Sequence, residues 1–269
     1  MSTKALPGFM PEHFTHEGET RTVFRAGEGP VVIVMTEVPG ITPAVHQFAC
    51  RVRDAGFTVY VPQLFGTPMK DFSLAYAART LSRVCISKTF RVLASRESSP
   101  IVDWLRALAR HLHDRHGGAG VGAVGMCLTG NFGLAMMLDA PVIAPVLSQP
   151  SLPFPIGADR RQGLHASDAA IAAVHQKIDH EGAGILALRF KGDPACPGER
   201  FERLRREFGD AFEGIEIDDK HANPDGPKPP HSVLTNHLID KQGEPTREAL
   251  DRTLAFLRTH LYADAASIQ

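Results

Sequence analysis

The sequence predicts a single α/β domain built on a doubly wound, mostly parallel sheet with helices on both faces. Three observations lead there. Short, continuously apolar, β-branched runs such as Val31-Val32-Ile33-Val34-Met35 read as strands covered on both faces. Stretches of helical period alternate with these runs along the chain, as successive βαβ units require. A length of 269 residues suffices for one sizeable core and does not force a second domain. One domain is therefore expected over residues 1–269, with its core from about residue 20 to about residue 262 and short tails at either end.

The elements run in order along the chain. After the run at Val31, Thr42 to Ala55 reads as a helix, with Pro43 in its first turn and Gly56 beyond its end. Phe57 to Val61 is the next strand, which closes a right-handed βαβ unit. Leu74 to Val84 has helical period, and Ser87 to Ser99 is irregular and in part loop. Pro100 to His116 is helical because Ile101, Trp104, Leu105, Leu108 and Leu112 recur every three to four residues, with Gly117-Gly118 as the stop. Val121 to Gly125 is a strand, Leu128 to Leu138 the helix leaving it, and Pro141 to Leu147 a further strand. Next come a helix at Ser167 to Ile178, a strand at Gly184 to Phe190, a helix at Gly198 to Phe208 and a strand at Gly214 to Ile217. Thr246 to Leu261 is the last helix. Pro and Gly cluster at Gln149 to Gly157 and Asn223 to Pro230, each after a strand, where loops form the mouth of a site.

Composition narrows the functional classes. Lys and Arg number 29 against 30 Asp and Glu, giving a formal charge of -1 with the signs interspersed. No chain-wide field attracts a polyanion or an anionic membrane, so neither nucleic acid nor membrane is an expected partner. The start Met1-Ser2-Thr3-Lys4-Ala5-Leu6-Pro7 has no apolar leader pattern, and a cytoplasmic location is expected. The four cysteines, Cys50, Cys85, Cys127 and Cys196, form no C-x-x-C pair. With no H-E-x-x-H either, neither a metal nor another cofactor is expected.

The chemistry centres on Gly125-Met126-Cys127-Leu128-Thr129-Gly130. A strand enters it and a helix leaves it, the context of a nucleophile elbow in the α/β-hydrolase fold, with Thr129 where the usual spacing has its second glycine. Small residues suit such an elbow because the chain turns sharply and strand and helix approach closely. A thiol there is intrinsically nucleophilic, and the start of a helix at Leu128 favours its thiolate. In this fold the acid and the histidine come after the nucleophile in chain order. Asp193, in Lys191-Gly192-Asp193-Pro194 after a strand, is the candidate acid. His231 is the preferred base, with His221 and His237 as rivals.

Together these residues resemble the dienelactone hydrolase family over most of the chain, from about Val31 to Leu257. The resemblance rests on Val31-Val32-Ile33-Val34-Met35-Thr36-Glu37-Val38-Pro39-Gly40, on Ala55-Gly56-Phe57-Thr58-Val59-Tyr60-Val61-Pro62-Gln63-Leu64-Phe65, on the cysteine elbow, on Gly192-Asp193 and on His231-Ser232. It implies a Cys127, Asp193, His231 triad and an oxyanion hole from the N–H groups of Val38 and Leu128. It also implies that Glu37 holds the resting thiol until substrate displaces it. A carboxylate beside a thiol suppresses thiolate formation by like-charge repulsion, which gives that last role a physical basis. Substrate recognition departs from the family. The arginine expected four residues after the histidine is Thr235 here, and its companion falls among Arg79, Arg83, Arg91 and Arg96. Leu64, Phe65, Phe90, Phe154 and Pro155 are candidates for a more apolar pocket lining.

The expected activity is hydrolysis of a small-molecule ester, lactone or thioester through an acyl-cysteine. The alternatives are acyl transfer or thioester cleavage by the same triad, and a non-catalytic protein that uses Cys127 for redox sensing or ligand binding. Oligomeric state is not legible.

Overall fold

The computed structural model describes residues 5–86 and 99–262. Its sheet has eight strands: β1 (Met10–His16), β2 (Glu19–Ala26), β3 (Val31–Met35), β4 (Thr58–Pro62), β5 (Val121–Met126), β6 (Val142–Ser148), β7 (Ile185–Phe190) and β8 (Phe212–Ile217). They lie in the order β1-β2-β4-β3-β5-β6-β7-β8. β4, β3, β5, β6, β7 and β8 are parallel to one another. β1 and β2 form an antiparallel hairpin that pairs with β4.

The helices are α1 (Pro43–Asp54), α2 (Leu74–Ile86), α3 (Pro100–His116), α4 (Phe132–Met136), α5 (Ala158–Arg161), α6 (Asp168–Glu181), α7 (Gly198–Phe208) and α8 (Pro245–Leu261). Each of β3, β4, β5, β6 and β7 is buried along its whole length, which is why these strands read as largely apolar runs. Local chemistry sets the helix ends, and α6 runs to Glu181 rather than to the expected Ile178. The Thr42 hydroxyl accepts from Val45 N–H at 3.3 Å to cap α1, Ser167 caps α6 in the same way, and left-handed Gly182 closes α6. The predicted irregular stretch from Ser87 falls, apart from Ser99, outside the described residues, as does Phe90.

Two differences from the sequence reading have physical causes. The sheet begins at Met10, ahead of the expected core boundary near residue 20. Its hairpin turns through Glu17 and Gly18, both at positive φ, the two-residue geometry that matches strand twist, but β1 is a partly exposed edge with little apolar signal. The helix expected from Leu128 to Leu138 is also broken: a 3₁₀ turn at Cys127–Thr129 precedes a five-residue α4. Gly130 sits against Pro150, where a Cβ would come within 2.4 Å of the proline Cα, and Asn131 donates its side-chain N–H to Leu152 carbonyl at 2.6 Å. Tertiary contacts thus set this segment's path, and so short a helix offers little dipole to a thiolate.

The parallel strands bring their carboxyl ends to one edge. β3 is flanked by β4 and β5, so successive crossovers leave it on opposite sides and open a crevice between β3 and β5. Glu37 comes after β3, and Cys127 after β5, at that crevice.

Candidate active site

Cys127 has φ +56°, in the left-handed region that non-glycine residues enter only under constraint. The constraint is visible in its neighbours. A Cβ on Gly125 would lie 2.2 Å from Thr129 carbonyl oxygen, so the strand and the turn are in contact through backbone. Thr129, which departs from the glycine pattern, fits because its hydroxyl is used. It accepts from Met126 N–H at 2.9 Å and lies 3.1 Å from Met35 carbonyl, lacing the elbow to the end of β3. Gly125→Ala is expected to cost about 1–3 kcal/mol or more by overpacking against immovable backbone. Thermal denaturation checks that loss, and activity should fall with it because the elbow itself must shift.

His231 and Asp193 are in direct contact. His231 Nδ1 and Asp193 Oδ2 are 2.6 Å apart, and the other Asp193 oxygen accepts from Ala195 N–H at 2.9 Å. The Asp193 side chain is almost fully buried, whereas His231 keeps 22% exposure. Burial alone would lower the imidazole pKa, but the charges and hydrogen bonds of Cys127 and Asp193 outweigh it and raise the pKa well above the ordinary value. The ring is thus bonded to the carboxylate and lies near enough to Cys127 to respond to its charge, an arrangement that favours imidazolium when the sulfur is negative.

The rival histidines lie elsewhere. His221 lines a surface groove with Ile217, Pro245 and Arg252. His237 is buried and supports the loop of His231: its Nδ1 accepts from Ser232 N–H at 3.1 Å and its Nε2 donates to Pro227 carbonyl at 2.5 Å. Those two bonds fix the neutral Nε2–H tautomer, in keeping with burial holding its pKa below the usual range.

Glu37 is 2% exposed and its carboxylate is fully engaged. Oε1 accepts from the Thr235 hydroxyl at 2.5 Å, and Oε2 accepts from the Ser232 hydroxyl at 2.7 Å and Gln149 Nε2 at 3.2 Å. Among the described residues no hydrogen bond joins Glu37 to Cys127. Gln149 is held in turn, its Oε1 accepting from Ser148 hydroxyl and from Val233 N–H. The polar residues after β3 and β6 are thereby tied to the loop carrying His231. Val38 is next in the chain after Glu37, and its N–H has no acceptor among the described residues. Leu128 lies in the first turn after the elbow, where N–H groups lack partners within the helix.

Sequence reasoning placed the loop after β6 at the mouth of a site but missed Ser151 within it. Ser151 donates its N–H to Cys127 carbonyl at 3.0 Å and places its hydroxyl 3.6 Å from Cys127 Sγ. Arg200 of α7 is fully buried and bonds only to carbonyls, those of Pro150, Pro153, Arg160 and Gly163, which pins this loop from below. Only the loop's Pro and Gly content signalled it. Of the candidate pocket residues, Leu64 and Phe65 are buried near the end of β4, while Phe154 stands partly exposed on the Ser151 loop. Among the described residues no cluster of three or more His, Cys, Asp or Glu is arranged for a metal, and no helix is long and apolar enough to cross a membrane.

A family profile described as the dienelactone hydrolase family matches residues 20–211. No curated protein matches the sequence. Solved structures are similar in fold at low identity. A dienelactone hydrolase from Anabaena variabilis shares 13% identity with TM-score 0.56, over 96% of this chain and 100% of that one. A dienelactone hydrolase-like promiscuous phosphotriesterase from metagenomic libraries shares 17% with TM-score 0.59, over 92% and 96%. An α/β hydrolase from Penicillium shares 14% with TM-score 0.58, over 94% and 99%.

Proposed function

The chain belongs to the dienelactone hydrolase family, and from that premise we propose that it hydrolyses a small-molecule ester, lactone or thioester through an acyl group on Cys127. The observation that carries the reading is the 2.6 Å contact of His231 Nδ1 with buried Asp193, in a ring close enough to Cys127 for the sulfur's charge to raise its pKa.

The proposed chemistry uses these positions in turn. His231 takes the Cys127 proton, and the thiolate attacks the substrate carbonyl carbon. Negative charge gathers on the carbonyl oxygen, toward which the N–H groups of Val38 and Leu128 are assigned. The C–O or C–S bond to the leaving group breaks as His231 returns the proton to it, which leaves an acyl-cysteine. Water then gives a proton to His231 and attacks the acyl carbon; the acid departs and the thiol is restored. Asp193 orients the ring and stabilises its charged form. Thr235, bonded to Glu37, offers no cation where the family's arginine meets a substrate carboxylate, so a neutral acyl portion is favoured.

Brief exposure to p-nitrophenyl acetate, acid quench and peptide mapping tests this reading. An acetyl group on the Cys127 peptide, with a burst of nitrophenol stoichiometric with enzyme, is expected. Turnover with the acyl group on another side chain would sink it. Analysis of products with water and with added alcohols or thiols separates hydrolysis from acyl transfer.

A further inference from the structure

The hydroxyl of Ser151 has one hydrogen and two acceptors in reach. Gln149 carbonyl lies at 3.0 Å and Cys127 Sγ at 3.6 Å. The side chain is held in place: Ser151 is 2% exposed, its N–H is bonded to Cys127 carbonyl at 3.0 Å, and the preceding Pro150 packs on Gly130 while its carbonyl accepts from buried Arg200. Rotation about the Cβ–Oγ bond therefore moves the hydrogen between the two acceptors without moving the loop.

Which acceptor wins depends on the charge of the sulfur. A neutral thiol is a weak acceptor, so the carbonyl, at the shorter distance, holds the hydrogen. A thiolate accepts a charge-assisted bond roughly twice as strong as a neutral one, and in a buried site that difference is not lost to water. We infer that Ser151 is a further catalytic residue, a switchable donor whose hydroxyl turns from Gln149 carbonyl to Cys127 Sγ when the thiol proton passes to His231. No covalent bond of Ser151 is made or broken. When the sulfur attacks and its charge moves to the substrate oxygen, the hydroxyl returns to the carbonyl.

The inference rests on Cys127 being the nucleophile, and the test separates the two. The rate of Cys127 alkylation by iodoacetamide, tracked by peptide mapping across a pH series, reports the thiolate directly. Ser151→Ala and Ser151→Gly remove the hydroxyl without adding bulk, Gly serving if Ala does not fold. In either variant the midpoint should rise by roughly one pH unit, a tenfold loss of thiolate on the acid side, with rates converging on wild type at alkaline pH. Ser151→Thr, which keeps a hydroxyl, should restore the wild-type midpoint. An unchanged midpoint in the Ala or Gly variant overturns the inference, as does a uniform loss at every pH, which is what a packing role would give. Undiminished ester turnover in Cys127→Ala instead overturns the nucleophile assignment, whatever the alkylation profiles show.

Discussion

Replacing Cys127 by alanine is expected to lower kcat for p-nitrophenyl acetate by about 10⁴-fold or more, while the protein stays folded. The size reflects the way nucleophile, base and acid act as one unit: removing the nucleophile leaves only binding and oxyanion stabilisation. Folding should survive because Cys127 is only partly buried and its backbone strain is imposed from outside, by Thr129 laced to Met35 and by Ser151 N–H on its carbonyl. Cys127→Ser sharpens the result. Serine keeps a nucleophile of nearly the same size but a far higher pKa, so it tests whether the His231 and Asp193 pair is strong enough to activate an alcohol. The raised pKa of His231 depends on Cys127 as a charge partner. An imidazole tuned to sit beside a thiolate serves an alkoxide poorly, and Cys127→Ser should remain at least about a hundredfold below wild type. Steady-state kinetics on circular-dichroism-matched samples decide both, and an alanine variant within tenfold of wild type would falsify the assignment.

Much of this geometry is legible in residue order because it depends on strand ends. Val31–Met35 is an apolar run for the same reason that it is buried, being covered on both faces, and residues just beyond the carboxyl end of such a strand in a parallel sheet fall at the site edge. Cys127, Asp193 and His231 each stand after a strand, and the structure joins the last two directly. The path from Cys127 to α4 is not legible, because apolar period alone cannot register Gly130 against Pro150 or Asn131 on Leu152. Hydrogen bonds between distant residues are equally silent. Ser232 reaches Glu37 across 195 positions and Gln149 reaches it across 112, and serine, threonine and glutamine carry no pattern that announces a buried partner. Ser151 is hidden for this reason, and so is the anchoring of Glu37.

That anchoring predicts the second large effect. Glu37→Leu should destabilise the protein by about 3–5 kcal/mol, since it strips the acceptors from Ser232, Thr235 and Gln149, all of them buried. The melting temperature should fall by on the order of 10 °C. Catalysis should suffer beyond stability, because Ser232 and Thr235 lie beside His231 in the loop that presents it. Glu37→Gln keeps the shape and one acceptor, and should lose less on both counts. The alternative role, a carboxylate restraining the resting thiol, predicts something different: removing the charge would speed alkylation of Cys127 by iodoacetamide and leave the melting temperature nearly unchanged. The distribution of bonds favours the anchor, since all three donors to Glu37 come from the loops after β6 and β8 and none from the elbow. We propose that Glu37 here sets the position of the base rather than the reactivity of the thiol. Faster alkylation in Glu37→Gln at unchanged stability would return it to the restraining role. A fall in stability with no gain in alkylation, together with a lower kcat at unaltered KM, is the outcome that the bonds to Ser232, Thr235 and Gln149 demand.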